Sequence, residues 1–435
     1  MSVVTTFFAE HAWLDGGVTP NTRITVHSGR IAAVRASGPQ RGDLPLPGLV
    51  LPGLANTHSH AFHRALRGRT HAAAGTFWTW RERMYAVAAR LDPDSYFALA
   101  RATYCEMALA GVTAVGEFHY LHHGPDGRPY SDPNIMGHAL RAAAREAGIR
   151  LTLLDACYLT GGIGQPLEGP ALRFGDGTVS AWAERVAALG TDEFSLIGAA
   201  IHSVRAVPRE ALPEVVEATG GRPLHVHLSE QPAENEQCLA AYGVTPTQLL
   251  AGAGALRVQT TAVHATHLTD ADITLLGGAT SSISICPTTE RDLADGIGPA
   301  RRLLDAGSPI TLGTDQQAVI DLFEEARALE MDERLATGQR GRFTPEQLVS
   351  ALTGQHALGW HDAGRIAPGA RADLVAVRLD TVRTAGADPA QVVLAASAAD
   401  VDTVIVDGRM IVSGGRHVLG DIGGMLSRAI APLWS

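Results

Sequence analysis

At 435 residues, 46% of them hydrophobic, the chain can bury a large core and has room for two or three domains. A formal net charge of -10 offers no basic surface to nucleic acid or an anionic membrane, and no apolar run approaches the roughly 20 residues of a membrane helix. The four cysteines (Cys105, Cys157, Cys238, Cys286) lack CxxC spacing, which fits a reducing compartment and argues against a thiolate metal site. Met1-Ser2-Val3-Val4-Thr5-Thr6 has neither the basic start nor the apolar core of a signal peptide, so the expected location is the cytoplasm. There is no lysine at all: every one of the 35 cationic side chains is arginine.

In chain order, residues 1–48 hold short alternating segments such as Arg23-Ile24-Thr25-Val26-His27 and Arg30-Ile31-Ala32-Ala33-Val34, separated by glycine turns, and read as small β structure. Residues 49–366 alternate apolar strand candidates with helical stretches. The strands begin near Leu49, Val112, Arg150, Ser195, Pro223, Gln259, Ser281 and Pro309, and the helix candidates include 95–110, 134–147, 209–218 and 322–337. Eight β units alternating with helices predict an α/β chain whose centre is a closed parallel (β/α)8 barrel of the TIM type, with catalytic groups at the carboxyl ends of the strands. Residues 367–420 return to short β patterning, as in Ala372-Asp373-Leu374-Val375-Ala376-Val377 and Asp402-Thr403-Val404-Ile405-Val406. They are expected to pair with the N-terminal stretch as one discontinuous β domain, and a helix within 421–435 closes the chain.

The chemistry is concentrated where the barrel strands end. In Gly53-Leu54-Ala55-Asn56-Thr57-His58-Ser59-His60, residues i and i+2 of an extended strand point to one side, so His58 and His60 can reach one ion. Three more apolar runs end in the same way: Leu224-His225-Val226-His227-Leu228-Ser229-Glu230, Thr261-Ala262-Val263-His264 and Ile310-Thr311-Leu312-Gly313-Thr314-Asp315. Singly, each is an ordinary polar strand end. Together they point to a metal hydrolase site.

This pattern resembles the amidohydrolase superfamily over essentially the whole chain: HxH on the first strand, histidines on the fifth and sixth, aspartate on the eighth. Gly364-Arg365-Ile366-Ala367-Pro368-Gly369-Ala370-Arg371-Ala372-Asp373 is similar to that superfamily's return into a β-sandwich. Many members bridge two metals with a carboxylated lysine, which a chain without lysine cannot do. The resemblance is therefore to the mononuclear deaminase branch. It implies that His58, His60, His227 and Asp315 hold one divalent ion, zinc by preference, and that the ion lowers the pKa of a water towards about 7. Asp315 then serves as general base, Glu230 protonates the leaving nitrogen, and His264 hydrogen-bonds the oxygen. Of the doublet, His264 takes this role and His267 a supporting or structural one.

Within that branch, His58-Ser59-His60-Ala61-Phe62, Phe77-Trp78-Thr79-Trp80-Arg81-Glu82, Glu117-Phe118-His119-Tyr120, His202-Ser203-Val204-Arg205 and Cys286-Pro287-Thr288-Thr289-Glu290 look like the formimidoylglutamate deiminase family. That family converts N-formimino-L-glutamate to N-formyl-L-glutamate and ammonia in histidine degradation. The resemblance implies a dicarboxylate amidine held by Arg81, Tyr120, His202 and Arg205, since arginine binds carboxylate bidentately. Next to two tryptophans, Arg81 also reads as a cation–π stack. His63 and Gln317 depart from the family pattern, which has glutamine and histidine there. Both are expected near the substrate, with His63 able to add charge. A deaminase of a nucleobase or other heterocycle is the alternative, and a catalytically silent binding protein a third reading. A homodimer is expected by analogy.

Overall fold

The computed structural model describes residues 4–71 and 75–435; Met1–Val3, at the head of the stretch read against a leader, lie outside them. Eight parallel strands form the barrel: Leu54–Ser59 (β1), Val112–His119 (β2), Arg150–Cys157 (β3), Ser195–Ile201 (β4), Leu224–Leu228 (β5), Thr260–His264 (β6), Ser282–Ile285 (β7) and Ile310–Leu312 (β8). A parallel bridge between Ser59 and Asp315 completes the ring. The strands β1 to β3 are buried along their whole length, which is why they show none of the two-residue alternation of a half-exposed strand. Helix starts are set locally. Asp92 caps Pro93–Leu109 by accepting from Ser95 N at 2.8 Å, and the Thr-Pro pairs at Thr245 and Thr344 open their helices with reciprocal capping boxes.

The terminal segments form a second, mixed sheet of eight strands. In hydrogen-bonding order these are Arg416–His417, Arg409–Ser413, Val401–Val406, Leu374–Val377, Leu44–Pro52, Val4–Leu14, Gly17–His27 and Arg30–Ala36. Leu44–Pro52 is the splice: it runs parallel to Val4–Leu14 and antiparallel to Leu374–Val377. This corrects the expected start of the first barrel strand at Leu49. The apolar run belongs to the terminal sheet as far as Pro52, and the chain crosses to the barrel at Gly53. A Cβ there would sit 2.3 Å from Thr113 Oγ1 and 2.7 Å from Asp373 Cβ, so only glycine fits the seam.

Sheet and barrel are bolted together at the amino ends of the strands. Arg150, fully buried at the start of β3, pairs with Asp373 through both terminal nitrogens and stacks over Trp360 at 5.1 Å. Asp373 also accepts from Asp407 N at 3.0 Å. This end of the barrel is thus committed to structure, leaving the carboxyl ends for chemistry. Among the described residues no helix is long and apolar enough to cross a membrane.

Candidate active site

Every strand-end residue singled out from the sequence converges on one buried point above the barrel. The ligand atoms of His58, His60 and Asp315, and those of His58, His227 and His264, lie within 4.8 Å of one another. Asp315 Oδ1 is 3.4 Å from His58 Nε2 and 3.5 Å from His60 Nε2, and His227 Nε2 is 3.1 Å from His58 Nε2. Two backbone carbonyls orient the imidazoles. His60 Nδ1 donates to Phe118 O at 2.9 Å and His227 Nδ1 donates to His202 O at 2.8 Å. Each ring thereby turns an Nε2 lone pair to the centre, where the two nitrogens stand only 3.4 Å apart. Burial, joined by the neighbouring imidazoles, holds His58, His60 and His227 well below the ordinary histidine range, so all three are neutral. Facing lone pairs in a buried space repel unless a cation lies between them. This donor set, neutral imidazoles with one carboxylate, fits a divalent metal of the zinc type.

Glu230 and His264 stand beside that centre. His264 Nε2 is 3.7 Å from Asp315 Oδ2 and 3.8 Å from Glu230 Oε1. Burial works against charge on His264, but Glu230, a hydrogen bond to Glu290 and Asp315 together push it up to about 10. At Glu230 burial outweighs the attraction of His264 and Arg205, and its carboxyl is raised. The site therefore sets an imidazole drawn up by its carboxylate neighbours beside a carboxyl drawn up by burial. Glu290, whose Oε1 is 3.4 Å from His264 Nδ1 and accepts from Cys286 N at 2.9 Å, fixes the imidazole's orientation. Nothing in the string Cys286-Pro287-Thr288-Thr289-Glu290 announces this role, since Glu290 there is an ordinary helix-start carboxylate. His267 lies outside the centre and donates to Asp295 O at 2.8 Å, a supporting position.

The cavity over this centre is lined by His63, Arg81, Tyr120, His202 and Arg205, and also by Trp80, Tyr85, Tyr158 and Phe174, which the sequence did not single out. Tyr85 and Tyr158 sit on separate segments with no motif to announce them. Arg81 satisfies both of its readings: its guanidinium lies 5.6 Å from the Trp78 ring and 5.1 Å from the Tyr85 ring, and it lines the cavity. Two expectations need correction. His63 adds no charge, because burial lowers it to about 3; its Nε2 instead hydrogen-bonds the Tyr120 hydroxyl at 2.9 Å. Gln317 does not face the cavity. It is fully buried on the far side of the Asp315 turn, where its amide donates to Ser59 Oγ and Asp315 O, both at 2.9 Å, and accepts from Thr314 Oγ1 at 2.6 Å. The reason is backbone geometry: Asp315 and Gln317 both have positive φ, 40° and 62°, and this kinked turn swings the glutamine inward.

A further buried set, His119, His122 and Asp155, has metal-like spacing. Arg185 already occupies both oxygens of Asp155 at 2.8–2.9 Å, and His122 Nε2 is engaged with Ala156 O at 3.0 Å. This is a charge-compensated structural network.

A (β/α)8 barrel carrying imidazoles and an aspartate at its strand ends is the architecture of a metal-dependent hydrolase. The chain belongs to the amidohydrolase family, whose profile matches residues 49–411. It is similar to the formimidoylglutamate deiminase of Pseudomonas aeruginosa, at 36% identity over 94% of this chain and 95% of that protein. It is also similar to a 5-methylthioadenosine/S-adenosylhomocysteine deaminase of Pelotomaculum thermopropionicum, at 30% identity over 83% of this chain and 80% of the relative. Among solved structures, an amidohydrolase from Brucella melitensis superposes with a TM-score of 0.89 at 31% identity, covering 99% of this chain and all of that one.

Proposed function

We propose that this chain is a metal-dependent deiminase that hydrolyses N-formimino-L-glutamate to N-formyl-L-glutamate and ammonia, a step of histidine degradation. One observation carries the reading. Two arginines, Arg81 and Arg205, line the cavity that ends at the His/Asp centre, and among the described residues Arg81 has no carboxylate partner. A buried-facing guanidinium without an anion is a recognition group in waiting, and a dianion calls for two. Tyr120, His202 and the neutral His63 add hydrogen-bonding capacity on the same wall.

His58, His60, His227 and Asp315 would hold one divalent ion, zinc by donor chemistry. Such an ion supplies Lewis acidity and lowers the pKa of a water towards about 7. Asp315 accepts the proton of the attacking water, and His264 Nε2 donates a hydrogen bond to the oxygen added to the formimino carbon. Glu230 delivers a proton to the nitrogen. The proton held by Asp315 then passes to the same nitrogen while the added hydroxyl returns its own proton to Glu230; the carbon–nitrogen bond breaks with its electron pair on nitrogen, ammonia leaves, and the new carbonyl remains on the formyl product.

The aromatic walls, Trp80, Tyr85, Tyr158 and Phe174, favour a second reading: deamination of a flat heterocycle. Ammonia release from N-formimino-L-glutamate, an uncharged formamidine and a set of purines and pyrimidines separates the two. Preference for the dianion is the expected result, and preference for a heterocycle would replace the reading.

A further inference from the structure

Arg205 sits in the cavity wall between two buried carboxylates, and only one of them holds it. Its Nε donates to Glu234 Oε2 at 2.9 Å, while its Nη2 remains 3.8 Å from Glu230 Oε2, beyond hydrogen-bonding range. Glu234 lies in the first turn of the helix Pro232–Tyr242 and is only 1% exposed. Its second oxygen, Oε1, accepts from Ser229 N at 3.0 Å. Ser229 has a positive φ of 51° and directly precedes Glu230, so this bond pins the kinked turn that presents Glu230 to the centre.

We propose that Glu234 is a positioning residue with two grips, one on the guanidinium that meets the substrate and one on the turn that carries Glu230. The proposal rests on the dianion reading given above. A guanidinium has two edges. With the Nε edge fixed to Glu234, the remaining nitrogens are free for a substrate carboxylate. Arg205 also lines an outer groove of about 550 Å³ next to Arg81, Gln165 and Gln237, into which an unanchored side chain could swing. Glu234 prevents this, and it keeps Glu230 from becoming the nearest partner of Arg205. It touches neither substrate nor the metal centre, so its effect on turnover passes through Arg205 and the turn.

The test is a double-mutant cycle on the full-length, zinc-loaded protein, using Glu234→Gln, Arg205→Met and their combination. Glutamine keeps an acceptor for Ser229 N and removes the charge that holds Arg205. For Glu234→Gln the KM for N-formimino-L-glutamate should rise about 10-fold or more, with kcat within about 3-fold of wild type and metal content unchanged. Kinetics on an uncharged formamidine should stay within about 3-fold. In the combined variant, kcat/KM on the dianion should match that of Arg205→Met alone, because the positioned group is already gone. Glu234→Asp should recover part of the loss. Multiplying losses in the combined variant, or equal losses on the charged and uncharged substrates, would overturn the proposal. Should wild-type protein release no ammonia from N-formimino-L-glutamate, the substrate reading fails by itself. The same cycle, run on whichever substrate is turned over, still decides whether residues 205 and 234 act as a unit.

Discussion

Ser59 and Asp315 form the bridge that closes the barrel, and the same few residues carry the site. Around it, His58 O accepts from both Thr314 N and Asp315 N at 3.0–3.1 Å, and His60 N donates to Asp315 O at 3.1 Å. The side chains of His58, His60 and Asp315 then meet on the cavity side of this seam. Whatever joins those side chains also joins the first strand to the eighth.

Metal removal should therefore cost stability as well as activity. Chelation is expected to lower the thermal midpoint, and zinc to restore it, because a ligand bound only to the folded state stabilises it. One ion per chain should be found by elemental analysis. His227→Ala should lose metal and turnover together, whereas Glu230→Gln should keep the metal and lose turnover. Two tightly held ions per barrel would contradict the mononuclear centre that a lysine-free chain implies.

Gly313 tests the seam sterically. An added Cβ would stand 2.7 Å from His58 Cβ, 2.9 Å from Cys286 Sγ and 2.9 Å from His58 O. Gly313→Ala should push His58 off the centre, cost about 1–3 kcal/mol of stability and weaken zinc retention. Gly252→Ala, whose Cβ meets nothing within 4 Å, is the matched control: it should leave zinc retention unchanged and, at a helix end, stabilise by at most about 1 kcal/mol. Unaltered zinc retention in the Gly313 variant would mean that His58 is less tightly set than its contacts indicate.

Recognition of the dianion should be separable from metal chemistry. Removing one charged partner of a bound carboxylate costs about 2–5 kcal/mol. Arg205→Met should cut kcat/KM on N-formimino-L-glutamate by about 10²-fold or more with metal content unchanged. An uncharged formamidine should suffer far less. Arg81→Met should follow the same pattern. Equal losses on both substrates would reduce these arginines to supports of the barrel rim.

Asp176 offers a pH test outside the metal centre. Burial alone would raise its carboxyl, but hydrogen bonds from His123 and Arg185, at 2.9 and 2.8 Å, prevail and hold it far below the usual range. A depressed carboxyl contributes stability that is present above the unfolded pKa of about 4 and is lost as pH falls through the folded value. Asp176→Asn should destabilise at pH 7 by about 3–5 kcal/mol, since it leaves Arg185 partly unpaired. The gap to wild type should stay level from pH 7 to about 5 and narrow by up to about 1.4 kcal/mol per unit below about 4. A gap that does not narrow in acid would show that the network is held by packing.

The centre was legible from the sequence because each of its groups ends an apolar strand, and a strand end in a parallel barrel has one place to go. His58, His60, His227, Glu230, His264 and Asp315 needed only that rule. What the sequence concealed lies in kinked backbone. Ser229, His264, Asp315 and Gln317 all adopt positive φ without being glycine, so the directions of their neighbours could not follow from simple alternation. Gln317, which the family resemblance placed near the substrate, lies behind the pocket for this reason. The run from Leu44 to Ala55 carries no polar side chain, and only Pro52-Gly53 marks where one sheet ends and the other begins. Glu234 and Glu290 look like ordinary helix-start carboxylates, and their value comes from partners distant in sequence or across a turn.

Leu44–Pro52 lies between a partner made early and a partner made late, Val4–Leu14 on one side and Leu374–Val377 on the other. During synthesis that strand emerges with one edge satisfied and waits for the other while the entire barrel is being made. An apolar strand with an open edge invites pairing with another chain. The nascent protein thus carries an open apolar edge for most of translation, and long-range pairing of this kind is slow to form. Yield in a foreign host should then depend on holding chaperones and growth temperature more than on the stability of the finished enzyme.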